Sequence, residues 1–154
     1  MNGELAVLDA SPLITFQQID RLELLRGVFD RAIVPPEVAR EAAPSLDTLP
    51  NWIEIRRAAA VLTFSRMLGP GERAAIALAL QVSADFIVLD DLSARLAATE
   101  RNLTVIGSLG LLVRAKERGL IGEVRPLMQA MISHGLYASD ELRRLILSIA
   151  GESG

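Results

Sequence analysis

Five acidic residues stand where they could act together: Asp9, Glu41, Glu72, Asp90 and Asp91. Asp9 directly follows the apolar run Leu5-Ala6-Val7-Leu8, and the pair Asp90-Asp91 directly follows Phe86-Ile87-Val88-Leu89. Short, continuous aliphatic runs of this kind read as strands buried on both faces. In open parallel sheets the functional crevice lies outside the carboxyl ends of the strands, which is where these aspartates fall. If the two strands are neighbours, the acids converge. Carboxylates forced together repel one another, and a cation between them relieves the repulsion. Oxygen donors without cysteine or a well-placed histidine favour Mg²⁺ or Mn²⁺ over Zn²⁺, and such ions suit phosphodiester chemistry.

Each acid also has an ordinary reading. A lone Asp after a strand serves as a turn residue or helix N-cap. Asp90-Asp91 could cap the next helix, although one Asp suffices for that. Glu72 falls in the first turn of a helix, where a carboxylate complements the dipole. Glu41 falls near the end of a short helix, where the dipole does not favour it. His134, the sole histidine, precedes Gly135 in a loop-like stretch and is not a candidate.

The elements that must position these groups follow from the apolar pattern. Strands are expected at 5–8, 32–34, 86–89 and 104–106, with a short edge strand at 52–55. Helices are expected from Ser11-Pro12, over 21–26, 37–42, 56–68, 72–81, 93–100, 109–118, 125–133 and 140–150. Pro12 suits a first helical turn, and Ser139 suits the cap of the last helix. Strands of about four residues alternating with helices call for a mostly parallel sheet covered on both faces, an α/β domain of three α/β/α layers. The expected organisation is a single domain over 1–150 and a short tail at 151–154.

Composition narrows the classes. The chain has 154 residues, 51% of them hydrophobic and 4% aromatic, with a mean hydropathy of +0.34. That is enough for one well-cored domain and argues against disorder. Cysteine is absent, which excludes disulfides, thiolate metal sites and a thiol nucleophile. No basic leader or membrane-length apolar run is present, so a soluble cytoplasmic protein is expected. The net charge of −3 does not announce a nucleic-acid binder, yet of the 16 basic residues all but Lys116 are arginine, whose planar fork suits phosphate. There is no GxSxG for a serine hydrolase, and GSLGLL at 107–112 lacks the lysine of a phosphate-binding loop.

Taken in order, ELAVLDASPLI, IVPPEVAREA, GPGERAAIALAL, ADFIVLDDLSAR and LTVIGSLGLLVRAKERGLI resemble the PIN-domain family, including its VapC-like toxin ribonucleases. The resemblance covers nearly all of residues 4 to 150. It implies a metal-dependent endoribonuclease using Mg²⁺ or Mn²⁺. The family's acidic positions fall on Asp9, Glu41, Glu72 and Asp91, with Asp90 as an adjacent substitute and Glu37 as a nearby competitor of Glu41. Asp9, Glu72, Asp90 and Asp91 would be metal ligands, and Ser11 a supporting hydroxyl. Arg73 and Arg95, beside the acidic motifs, would hold RNA phosphates. Ala94 stands where many relatives carry an aromatic residue. Partners implied are RNA, an antitoxin protein and a second copy in a homodimer.

Other classes fit less well. A non-catalytic nucleic-acid-binding or scaffold protein on the same fold would have lost acids at the motif positions, and all are occupied. A receiver-like domain would carry its acidic pair after the first strand, and a haloacid-dehalogenase-type phosphatase would carry Asp-x-Asp where this chain has Asp9-Ala10-Ser11.

Overall fold

The aliphatic tetrads form the strands of one sheet. The computed structural model describes residues 3–152 and shows β1 (Leu5–Leu8), β2 (Arg31–Val34), β3 (Ile53–Ile55), β4 (Phe86–Val88) and β5 (Val105–Ile106). They are all parallel, in the order β3-β2-β1-β4-β5. In register, Val7 lies opposite Ile33 on one side and Ile87 on the other. The central strand is therefore covered above, below and along both edges, and Ala6, Val7 and Leu8 are fully buried. A strand so placed has no solvent face, which is why its sequence does not alternate.

Eight α-helices connect and cover the strands among the described residues: α1 (Ala10–Gln18), α2 (Glu23–Val28), α3 (Pro36–Ala42), α4 (Pro70–Gln81), α5 (Leu92–Glu100), α6 (Ser108–Glu117), α7 (Arg125–Ser133) and α8 (Asp140–Ile149). The chain steps from β1 to β2 to β3 in one direction, then returns across the sheet to β4 and β5. Crossovers between parallel strands are right-handed, so this reversal sends α4 and α5 to the opposite face, while α6 and α7 return to the face of α1. α1 packs against α3, α6 and α7, whereas α4 packs against β1, β4 and α5. The result is the three-layer α/β/α arrangement. A continuous apolar core joins the layers through Phe16, Leu25, Ile76, Leu78, Leu111 and Met131.

Helix starts follow their sequence signals. Pro36 and Pro70 open α3 and α4, where a missing N–H costs nothing. Ser139 accepts the Leu142 amide at 3.1 Å. One expected helix does not form. Residues 56–69 make a long irregular loop, with Val61 and Met67 almost fully exposed. Helices draw most of their stability from packing an apolar face, and this stretch buries only Leu68 among its larger apolar side chains. Side chains satisfy its backbone instead: Gln81 Oε1 accepts the Ala59 amide at 2.6 Å, and Arg101 donates to the Thr63 carbonyl.

The chain end also differs from a free tail. Glu152 accepts the Val124 and Arg125 amides at 2.7 and 3.0 Å and pairs with Lys116 at 2.9 Å. Residues 153 and 154 of the expected tail lie outside the described residues, as do Met1 and Asn2 of the N-terminal segment. No helix among the described residues is long and apolar enough to cross a membrane.

Candidate functional site

The sheet reverses its order of addition between β1 and β4, and crevices in open α/β sheets form at such switch points, outside the carboxyl ends. β1 and β4 are hydrogen-bonded neighbours, and the Asp9 amide donates to the Val88 carbonyl at 3.2 Å. The condition for convergence of the acids is thus met.

Asp9 occupies the N-cap position of α1, yet its side chain makes no capping bond. It is 3% exposed, and its Oδ1 is buried without a hydrogen-bond partner. Burial pushes its carboxyl up to about 7. The Ala10 amide opposes this, and the charges of Glu72, Glu41 and Asp90 add to it. A buried acceptor left without a donor is costly, so the side chain is held there by something other than local capping.

Glu72 lies in the first turn of α4 and accepts the Gly69 amide through Oε1 at 3.0 Å. Its carboxyl is raised by burial, lowered by that amide, and raised again by Asp91 and Glu41. Glu41 ends α3 and is exposed, with its Oε1 aimed at α4. The meeting point is Gly71. A Cβ there would come within 3.1 Å of Glu41 Oε1 and 3.7 Å of Asp9 Oδ1, so the glycine leaves open the space between the two carboxylates.

The pair after β4 divides its work. Asp91 caps α5 by accepting the Ala94 amide through Oδ2 at 3.1 Å. Asp90 commits both oxygens to Ser108: Oδ1 accepts its amide at 2.8 Å and Oδ2 its hydroxyl at 2.6 Å. That clasp ties the end of β4 to the start of α6. Ser108 is fully buried and was not legible as a site residue. Its only signal is a serine at the carboxyl end of β5, at the same level as Asp9 and Asp90.

None of the five acids takes part in an ion pair among the described residues. The charges of Glu72, Glu41 and Asp90 nevertheless raise the proton affinity of Asp9. As they stand, no three acidic or histidine side chains among the described residues are close enough to hold one ion. Glu72, Asp90 and Asp91 each turn toward a nearby N–H instead. The donor set still fits a hard divalent cation: it is all oxygen, it carries an orphaned Asp9 Oδ1, and Glu72 and Asp91 each keep one oxygen outside those backbone bonds.

The other sequence candidates are placed as follows. Ser11 is exposed in the first turn of α1 and makes no hydrogen bond through its side chain among the described residues. Arg73 is exposed on α4 with its guanidinium unpaired. Arg95 is half-buried and donates through Nη1 to the Leu89 carbonyl at 3.0 Å. A Cβ on Gly107 would lie 2.6 Å from that nitrogen, so the glycine makes room for the guanidinium. Arg95 therefore braces the end of β4 while lining a cavity of about 470 Å³ with Asp90 and Tyr137.

No curated protein matches the sequence. The family model described as DUF3368, a PIN domain, matches residues 5–152, from the first strand to the glutamate that anchors the chain end. With that match running through every strand and every acidic position above, the chain belongs to the PIN-domain family.

Proposed function

We propose that this protein is a metal-dependent endoribonuclease that hydrolyses phosphodiester bonds of RNA at the Asp9 centre. Membership of a family of nuclease folds supports the general class. The observation that carries the finer reading is the buried, unpartnered Oδ1 of Asp9 surrounded by unpaired carboxylates. A buried group with a shifted pKa in a crevice is a functional-site signature with a physical basis.

Asp9, Glu72 and Asp91 would hold Mg²⁺ or Mn²⁺, with Glu41 as the fourth acid at the edge of the space over Gly71. When bound, the ion supplies Lewis acidity toward the phosphate and lowers the pKa of water. Asp90 is a positioning residue, since both of its oxygens hold Ser108 and the start of α6. Arg73, exposed and unpaired next to Glu72, would hold a flanking phosphate, as guanidinium groups do with charge-assisted hydrogen bonds. Arg95 acts from within by bracing Leu89.

The proposal extends to a toxin role, with an antitoxin protein covering the site and a homodimer as the working form. Exposed Leu92, Tyr137 and Leu142 around the cavity beside Asp90 support a protein contact there. The test of the core reading is cleavage of total RNA by the purified chain in Mg²⁺ or Mn²⁺, with and without chelator, beside Asp9→Asn. Cleavage that needs the metal and is lost in the variant is expected; equal cleavage by Asp9→Asn would reject the site.

A further inference from the structure

A second cavity, of about 380 Å³, adjoins the acidic centre between α3, α4 and the 56–69 loop. We propose that it is a nucleobase subsite, selective for a guanine next to the scissile phosphate; this rests on the nuclease reading above.

Placement is the first argument. The opening turn of α4 separates the two spaces: Gly71 faces Asp9 and Glu41, whereas Pro70 and Arg73 line the cavity. On α3, Glu37 lines the cavity and Glu41 lies four residues on, so the two share a helix face one turn apart. A nucleotide bound here would continue directly into the acidic crevice.

Chemistry is the second. The cavity presents one carboxylate, Glu37, and two guanidinium groups, Arg57 and Arg73, over an apolar floor that includes Ala74 and Ala77. The side chains of all three charged residues are without a hydrogen bond or ion pair among the described residues. A phosphate alone would need no apolar floor and would be repelled by Glu37. A carboxylate instead selects adjacent N–H donors, and guanine carries two on its Watson–Crick edge, at N1 and the exocyclic amino group. Adenine and cytosine place an acceptor beside their amino group, and uracil flanks its single imide N–H with acceptors. Single-stranded bases are read on such edges and stacked on aromatic rings or arginine planes. No aromatic side chain lines this cavity, so Arg57 or Arg73 supplies the stacking plane and the other guanidinium is left for phosphate.

The wall of the cavity is already in place. The loop carrying Arg57 is tied down at Ala59 by Gln81 and at Thr63 by Arg101, whose guanidinium lies 4.4 Å from the Phe64 ring centre. Arg66 pairs with Glu100 at 3.2 Å further along. A long loop without secondary structure, held by such contacts, is characteristic of a binding segment, and its order reduces the entropy lost on binding.

The test uses the full chain carrying Asp9→Asn, so that RNA is not consumed. Binding in Mg²⁺ is followed by fluorescence anisotropy with labelled hexauridylate and with the same oligomer carrying one central G, A or C. The G oligomer is expected to bind about tenfold more tightly than the others, the scale of one good bidentate base contact. Adding Glu37→Gln is expected to remove that preference, while Arg57→Ala is expected to weaken all four. Equal affinity for the four oligomers, or a G preference that survives Glu37→Gln, overturns the guanine subsite and leaves the nuclease reading standing. Equal weakening by Arg57→Ala with no base preference identifies a phosphate contact only and also overturns it. Failure to bind any of the four rejects the RNA reading itself.

Discussion

The carboxylates of Asp9, at the end of β1, and Glu41, in the helix that follows β2, meet over the bare Cα of Gly71. Asp9 Oδ1 and Glu41 Oε1 lie 3.7 and 3.1 Å from where a methyl group on that residue would sit. Thirty-one residues of helix, strand and turn separate them in the chain, and the parallel pairing of β1 with β2 returns them to one side of the sheet.

Gly71→Ala should therefore separate stability from function. Alanine in a helix is favoured over glycine by up to about 1 kcal/mol, and the Glu41 side chain is exposed and free to give way. The melting temperature is expected to hold or rise slightly, while metal-dependent cleavage falls because the methyl occupies the space between the Asp9 and Glu41 carboxylates. Thermal denaturation and a cleavage assay on the same sample check both halves; full activity in the variant would show that this space is not used.

Asp9→Asn should trade in the same direction more strongly. The substitution keeps shape and removes a buried charge that has no donor to Oδ1. In chelator at neutral pH and above the variant is expected to be more stable, because the buried charge and its repulsion by Glu72, Glu41 and Asp90 are gone. Its cleavage rate is expected to fall by at least about a hundredfold, since metal-derived stabilisation is worth several kcal/mol. Differential scanning calorimetry in chelator decides the stability half, and a lower melting temperature than wild type would contradict it.

Ser108→Ala tests the clasp on Asp90. Losing the 2.6 Å hydroxyl contact leaves one oxygen of a half-buried carboxylate without its partner, at a cost of about 1–3 kcal/mol. Cleavage should decline modestly while the metal concentration giving half-maximal activity changes little, because both Asp90 oxygens are engaged by Ser108 in the intact site. A large shift in that concentration would instead make Asp90 a direct ligand.

Glu152 controls acid stability at the other end of the molecule. Burial works against its charge, but the Val124 amide, Lys116 and the Arg125 amide outweigh it and hold the carboxyl at about 2, below the usual 4.5. A group whose pKa is lower in the folded state stabilises above the unfolded value and loses that contribution as pH falls through the folded one. The contribution is thus complete above about pH 4.5 and fades toward pH 2. Glu152→Gln is expected to lower the melting temperature near neutral pH and to converge with wild type near pH 2. Parallel melting curves across that range would contradict the latch.

Much of the architecture was legible because burial on both faces leaves a plain mark. The runs at Leu5 and Phe86 read as strands buried on both faces, and both are interior strands of the sheet. The aspartates ending those runs read as neighbours on condition that the strands pair, and register shows that they do. The helix expected over 56–68 failed for the opposite reason: local propensity was adequate, but of its larger apolar side chains only Leu68 is buried, while Val61 and Met67 stay in solvent. Side-chain commitments were not legible at all. That Asp90 holds Ser108, that Arg95 braces Leu89, and that Glu37 opens onto a cavity with Arg57 depend on how three elements meet, and spacing along one chain does not encode that.

The proposed reaction requires carboxylates from the end of β1, α4 and the end of β4 to share a divalent ion, and titration calorimetry with Mn²⁺ on the chelator-treated full chain measures this directly. Saturable binding of one or two ions per chain, displaced by Mg²⁺ and abolished by Asp9→Asn, is the predicted result. Heats that do not saturate, or an isotherm unchanged in Asp9→Asn, would contradict it.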